Sequence, residues 1–283
     1  MTTTDSSRNR GVISRPVPRD ALAVLASYRQ SFPVGNATWY LTGSHADGSA
    51  IDISDIDLFC LADPLPTSLY TWARSIQEPY GSRIDISLLH PSSLNNVLSA
   101  NAIPMIRSGR LILGPYVRDT LPALNLRAYQ ETVGWKFGSN VSHFHPTGAV
   151  QGPPDPRDEF LGFVGPAKQW TGLETWTHDV VVLVGSAATA MAAARGQVAG
   201  TRREGLLRLR NVRGFEKWAD VCTEAVGLLR DQWRYRVPHE ARERHRLRSV
   251  CERLCDLENA TLDELDAIGV DPYRDNRLSR LPR

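Results

Sequence analysis

The stretch LTGSHADGSAIDISDIDLFCL, residues 41–61, decides how this chain is read. One apolar run stops at Gly43-Ser44, and the next holds Asp55 and Asp57 on either side of Ile56. Alternation of Asp57 with Ile56 and Leu58 predicts a strand. On a strand, successive side chains alternate faces and rise about 3.3 Å per residue, so the two acids share one face, roughly 6.6 Å apart at Cα. Ile56 and Leu58 then face the core and fix the register, because a one-residue slip would bury both acids. Asp85 in RIDISLL (83–89) has the same bracket in Ile84 and Ile86. If the two strands pair, three carboxylates share one patch.

Such a patch repels itself, and its members raise one another's pKa unless a cation sits among them. Mg²⁺ is the expected occupant, since it takes oxygen ligands and fills its remaining positions with water and substrate phosphates. Gly43 allows close approach of the main chain to a phosphate, and the Ser44 hydroxyl donates to phosphate oxygens. The competing reading is a solvated strand edge beside an ordinary turn. Each signal alone fits that; the combination of Gly-Ser, spacer, Asp-Ile-Asp and a third strand-borne Asp fits a metal and triphosphate site.

Working outward, DALAVLASYRQSF (20–32) has helical spacing, WYLT (39–42), IDLFCLA (56–62) and RIDISLL are strand-like, and LYTWARSIQEPY (69–80) predicts a helix between the last two. RLILGPYV (110–117) closes the unit with a strand-like piece. From 129 to 172, Gly, Pro and aromatic residues (HPTGAVQGPPDP among them) predict a linker and long loop. Three stretches of helical periodicity follow. The expectation is an α+β chain: a small mixed-sheet domain over 1–128, the linker and loop over 129–172, and a helical bundle over 173–283.

Composition narrows the classes. With 33 Lys and Arg against 31 Asp and Glu the net charge is +2, so the whole molecule is no obvious polyanion binder. The four cysteines, Cys60, Cys222, Cys251 and Cys255, imply buried thiols rather than a disulfide framework. The apolar run at 180–194 suits a core helix and is short for a membrane span. The first residues lack the apolar core of a signal peptide, and a cytoplasmic location with no membrane partner is expected.

Gly43, Ser44, Asp55, Asp57 and Asp85 together resemble the signature of the DNA polymerase β-like nucleotidyltransferases. Within that superfamily, GSHADG and SDIDL are most similar to the aminoglycoside nucleotidyltransferases of the streptomycin/spectinomycin type. LILGPYVRDTLP (111–122) and DVVVLVGSAATAMAAARGQVAGTRRE resemble the close of their catalytic domain and their helical domain. The resemblance implies Mg²⁺-dependent transfer of an NMP, AMP from ATP, to a hydroxyl of a small polar acceptor such as an aminoglycoside or a biosynthetic intermediate, with release of pyrophosphate. Asp55, Asp57 and Asp85 are the implied metal and catalytic carboxylates, Asp85 holding a second metal or taking the acceptor proton. Where that family has a Lys near the nucleotide phosphates, this chain has Thr201, Arg202 and Arg203, so the two arginines are the expected phosphate clamp.

Glu174 and Asp179, beside Trp170 and Trp176, are the candidate acceptor-binding carboxylates, or a base in place of Asp85, against a reading as solvated helix acids. His45, His143, His145 and Lys168 are read as turn or loop residues before ligands. Two alternatives stand: nucleotidyl transfer to a macromolecule, a protein or an RNA end, suggested by thirteen Lys/Arg against seven Asp/Glu in 201–250, and a nucleotide-sensing module without turnover. No RNA-binding motif is visible, which makes nucleic acid the weaker partner.

Overall fold

In the computed structural model, residues 16–33, 36–96, 99–145, 159–163 and 176–273 are described. The alternation around Asp57 does form a strand. β1 (Ala37–Thr42), β2 (Ile56–Ala62), β3 (Ile84–Leu89) and β4 (Arg110–Leu113) make a four-stranded mixed sheet in the order β3-β2-β1-β4. β1 is antiparallel to β2 and β4, while β2 and β3 run parallel, connected by helix α3 (Thr67–Tyr80). A parallel pair needs such a crossover, because no tight turn can reverse the chain twice.

Both faces of the sheet are covered, which is why its strands read as nearly continuous apolar runs. Trp39, Leu41, Leu58 and Cys60 pack with α1 (Arg19–Ser31), through Val24 and Tyr28, and with Leu69 and Ala73 of α3. The alternate residues Tyr40, Phe59 and Leu61 pack on Ile103 and Ile106 of α4 (Ala102–Ser108). Ile56, Leu58, Ile84 and Ile86 are all buried, as the register argument requires. β4 stops at Leu113, short of the strand-like run to 117, because the chain turns at Gly114 with φ +89°.

The expectation of a linker and loop from 129 fails over its first part. Residues Leu126–Phe144 form α5, capped by the Asn125 side chain, which accepts a hydrogen bond from Ala128 N at 3.1 Å. Gly134 and Gly138, which weaken the helical pattern, serve packing. A Cβ on Gly134 would stand 2.6 Å from Val270 Cγ1, and one on Gly138 2.1 Å from Pro272 O. The tertiary contact outweighs the propensity cost of about 1 kcal/mol per glycine. The Gly/Pro-rich stretch 146–158 lies outside the described residues.

α6 (Trp176–Ala194) is the centre of the helical half, packed by α5, α7 (Arg202–Arg210), α8 (Glu216–Val226) and α9 (Ala241–Ala267). It is long and apolar enough to cross a membrane by length and composition, but 72% of its most apolar window is buried inside the protein. Its apolar character on all sides is that of a core helix. A π-helical turn, Gly227–Gln232, prolongs α8. The chain then passes Arg234 (φ +53°) and Tyr235 (φ +61°), a left-handed pair that costs on the order of 1–3 kcal/mol per residue.

Candidate active site

The loop between β1 and β2 starts with a short helix, α2 (Gly43–Asp47). Gly43 opens it with φ +63°, and a Cβ there would stand 2.0 Å from Asp57 Oδ2, so only glycine fits. Next to it, Ser44 Oγ is buried and has no hydrogen-bond partner among the described residues. Both residues line a cavity of about 850 Å³ between the end of the sheet and helices α5, α6 and α7, together with Asp55, Asp57 and Arg202.

Asp57 and Asp85 are Cα partners across the parallel β2–β3 pair, so the third carboxylate does stand beside the first two. Burial and then the Asp55 charge raise the Asp57 carboxyl, with Asp85 adding to the push and Arg202 and Lys136 opposing it; it reaches about 7. Asp85 is exposed in area and lies off the cavity wall, yet the protein on its inner side, with Asp55, raises its carboxyl as well. Gln77 of α3 donates from Nε2 to Asp85 Oδ1 at 3.3 Å, which opposes that rise.

No three His, Cys, Asp or Glu side chains among the described residues stand close enough to hold a metal ion by themselves. Asp55 and Asp57 nevertheless fit a hard divalent cation completed by substrate oxygens: two oxygen donors on the cavity wall, one of them pushed by its neighbours toward the protonated form that a cation would reverse.

The helical half grips the loop that carries these acids. Arg203 Nη1 donates to Asp47 O at 3.2 Å, Arg230 donates to Ser49 O, and Arg234 pairs with Asp52. Ile51 and Ile53 of the same loop pack against the helical core. Arg202 passes close to α6 because residue 185 is glycine; a Cβ there would stand 2.7 Å from Arg202 Cδ. Of the two expected clamp arginines, Arg202 acts electrostatically on Asp57, whereas Arg203 is committed to Asp47 O.

Of the two expected acceptor carboxylates, only Asp179 is among the described residues. Asp179 is absent from the cavity wall and lies 3.3 Å from His143 Nε2 and 3.4 Å from His178 Nδ1. His178 itself lines the cavity, its ring against Tyr235 at 5.1 Å. Trp176 is buried in the core against Phe160. Glu174, Lys168 and Trp170 lie outside the described residues. His145 is buried and paired with Glu258 at 3.3 Å, so His143 and His145 face separate carboxylates and do not act as a metal pair.

Sequence reasoning missed Trp135, Lys136 and Tyr235, all on the cavity wall. The first two fall in the span read as a loop; a helical repeat through Val133, Phe137 and Val141, all buried, was the available signal. About half of the basic residues of 201–250 stand in internal pairs, among them Arg208 with Glu204, Arg210 with Asp220, Arg234 with Asp52, Arg244 with Glu159 and Arg248 with Glu252.

Among solved structures, spectinomycin adenyltransferase AAD(9) from Enterococcus faecialis, crystallised with ATP and spectinomycin, matches with a TM-score of 0.51. The match covers 85% of this chain and 98% of that one, at 11% identity. The fold is that of an aminoglycoside-type nucleotidyltransferase. No family model and no curated protein matches the chain by sequence. At this identity the likeness is one of fold alone.

Proposed function

We propose that the chain is a nucleotidyltransferase that moves an NMP, AMP from ATP, onto a hydroxyl of a small polar acceptor and releases pyrophosphate. The observation that carries this reading is the juxtaposition at one end of the sheet. Asp55 and Asp57 face the cavity, Asp85 is in register with Asp57, and the unpartnered hydroxyl of Ser44 sits beside them.

Asp55 and Asp57 would hold Mg²⁺ against the triphosphate. The ion's contribution is neutralisation of phosphate charge and polarisation of the phosphoryl oxygens. Ser44 Oγ donates to a phosphate oxygen, which supplies the partner it lacks, and Arg202 offers the guanidinium for the outer phosphates. The acceptor hydroxyl gives up its proton to the carboxylate cluster, of which Asp85, held by Gln77, is the member off the cavity wall. The acceptor oxygen forms its bond to the α-phosphorus as the bond to the pyrophosphate oxygen breaks on the opposite side. Pairing Asp57 with a cation removes the charge that otherwise favours its protonation, so substrate binding relieves the repulsion built into the patch.

The acceptor enters between the two halves, where Trp135 offers a ring and His178, steadied by Asp179, a polar edge. The cavity volume of about 850 Å³ is in the range of small-ligand sites and accommodates a nucleotide with a small second molecule. Incubation with Mg²⁺, each labelled NTP and a panel of hydroxyl compounds that includes spectinomycin tests the reading. Pyrophosphate release with at least one small acceptor is expected. Label appearing only on added RNA or protein would move the assignment to macromolecular transfer, and nucleotide binding without release in any arm would leave a sensor.

A further inference from the structure

α5 and α6 bring hydroxyl and amide groups to the cavity wall, from Ser139, Asn140, Ser186 and Thr189, and no acid. Each helix has one acid, and neither is on the wall. Glu131 of α5 pairs with Arg127 at 2.9 Å. Asp179 of α6 turns its two oxygens to imidazoles, 3.4 Å from His178 Nδ1 and 3.3 Å from His143 Nε2. The part of this group that reaches the cavity is the His178 ring, set edge-on against Tyr235, whose carbonyl accepts a hydrogen bond from the buried Thr177 hydroxyl.

The orientation of these groups suits hydroxyls. Ser186 Oγ donates to Val182 O at 2.9 Å, so toward Asn140 Nδ2, at 2.8 Å, it accepts, and the carbonyl oxygen of the Asn140 amide is turned the other way. Because a carboxylate only accepts, His178 Nδ1 carries the proton shared with Asp179, and in the neutral ring Nε2 keeps its lone pair. Asn140 Oδ1 and His178 Nε2 are both acceptors for an O–H, and Trp135 adds an apolar face for the C–H side of a sugar ring.

An ammonium meets a different balance. Of the acids elsewhere on the described wall, Asp55 and Asp57 serve the cation and triphosphate of the proposed reaction, Asp47 Oδ1 accepts from Ser49 N at 2.9 Å, and Asp231 lies 4.0 Å from Arg230 Nε. Arg202, Arg203 and Lys136 stand on the same wall. A polycation would give up its water there for neutral partners among like charges, whereas a hydroxyl exchanges water for equivalent hydrogen bonds.

We propose that the acceptor is an uncharged, hydroxyl-rich molecule of the sugar or cyclitol class, and that the α5–α6 wall, through His178, selects it over polycationic aminoglycosides. The proposal rests on the nucleotidyltransferase reading and narrows its acceptor. Specificity then has two sources: hydroxyls find acceptors of matching geometry, and ammonium groups find no carboxylate on these two helices.

Paired acceptors that differ by one group test this on the full chain with Mg·ATP, read as pyrophosphate release. myo-Inositol, trehalose and methyl glucoside are each set against an aminodeoxy counterpart, beside spectinomycin, streptomycin and kanamycin. Release with at least one neutral member is expected, with kcat/KM at least about tenfold above that of its aminodeoxy counterpart and of the three antibiotics. His178→Glu, which puts a carboxylate on the wall, should shift that ratio about tenfold toward the amine, while His178→Gln should keep the neutral preference. Should His178→Glu not fold, the ratio on the native chain decides alone. Equal or higher kcat/KM for the aminodeoxy members or the antibiotics would overturn the proposal and leave the nucleotidyltransferase reading standing, and so would a ratio that the folded His178→Glu variant leaves unmoved. No release with any of these acceptors would remove both.

Discussion

Gly43 lies so close to Asp57 that a Cβ would stand 2.0 Å from the carboxylate Oδ2, and the residue holds φ at +63°. The turn that presents Ser44 and the strand that presents Asp57 are therefore one packed unit. Gly43→Ala must displace the carboxylate or the turn. A shift of about 1 Å at a reacting centre costs on the order of 10²-fold in rate, and the left-handed backbone adds about 1–3 kcal/mol of strain. Turnover should fall about 100-fold, with a lowered Tm and an intact far-ultraviolet spectrum. Native-like turnover would show that the unit tolerates separation.

The carboxyl of Asp57 is pushed up to about 7, first by burial and next by Asp55. A carboxylate whose folded pKa lies above its unfolded value stabilises the fold in its protonated form. The contribution is full below the unfolded value of about 3.9 and is lost as pH rises through about 7. Without divalent cations, the Tm of the native chain minus that of Asp57→Asn should therefore fall between about pH 4 and pH 8. Differential scanning fluorimetry in EDTA measures it, and a difference that does not change with pH would mean that Asp57 is not under this stress.

Ser44 Oγ has a place in the cavity and no partner among the described residues, as the proposed phosphate contact requires. Ser44→Ala should weaken nucleotide binding by about 1.5–3 kcal/mol, the range for a hydrogen bond to a charged group, with little change in Tm. Isothermal titration with α,β-methylene-ATP reads the difference; an unchanged Kd takes Ser44 out of the phosphate site.

Arg230 and Arg203 hold the carbonyls of Ser49 and Asp47 from the helical half. Arg230→Ala should loosen this loop, so that amide exchange over residues 47–55 quickens while the sheet core stays protected. Nucleotide affinity should drop roughly tenfold, about 1.4 kcal/mol, because the loop must then be ordered on binding. Exchange that is unaltered in that segment would show the carbonyl contact to be dispensable.

How far the residues announced this arrangement depends on the period of the element that carries them. Asp57 and Asp85 were legible because a two-residue repeat bracketed by Ile56 and Leu58, and by Ile84 and Ile86, leaves one choice of face, and their parallel register agrees with it; Asp55, expected on the same strand, falls just before β2. Lys136 and Trp135 were not, because Gly134 and Gly138 break the local preference of α5 for reasons found more than a hundred residues away, at Val270 and Pro272. Asp179 was placed on the correct helix but on the wrong neighbours, since nothing local to α6 announces His143. Helix existence follows from the sequence nearby; helix partners follow from the whole chain.

The grip of Arg203, Arg230 and Arg234 on the loop from Asp47 to Asp52 bears on how such a chain can be recombined. A chimaera that grafts the first 125 residues onto the helical half of a relative would keep every strand and every acid, and would still lose the register of the loop unless the three arginines came with it. A crossover placed between the halves separates Asp47, Ser49 and Asp52 from the arginines that hold them, so the loop leading to Asp55 and the helices that grip it are best inherited from one parent.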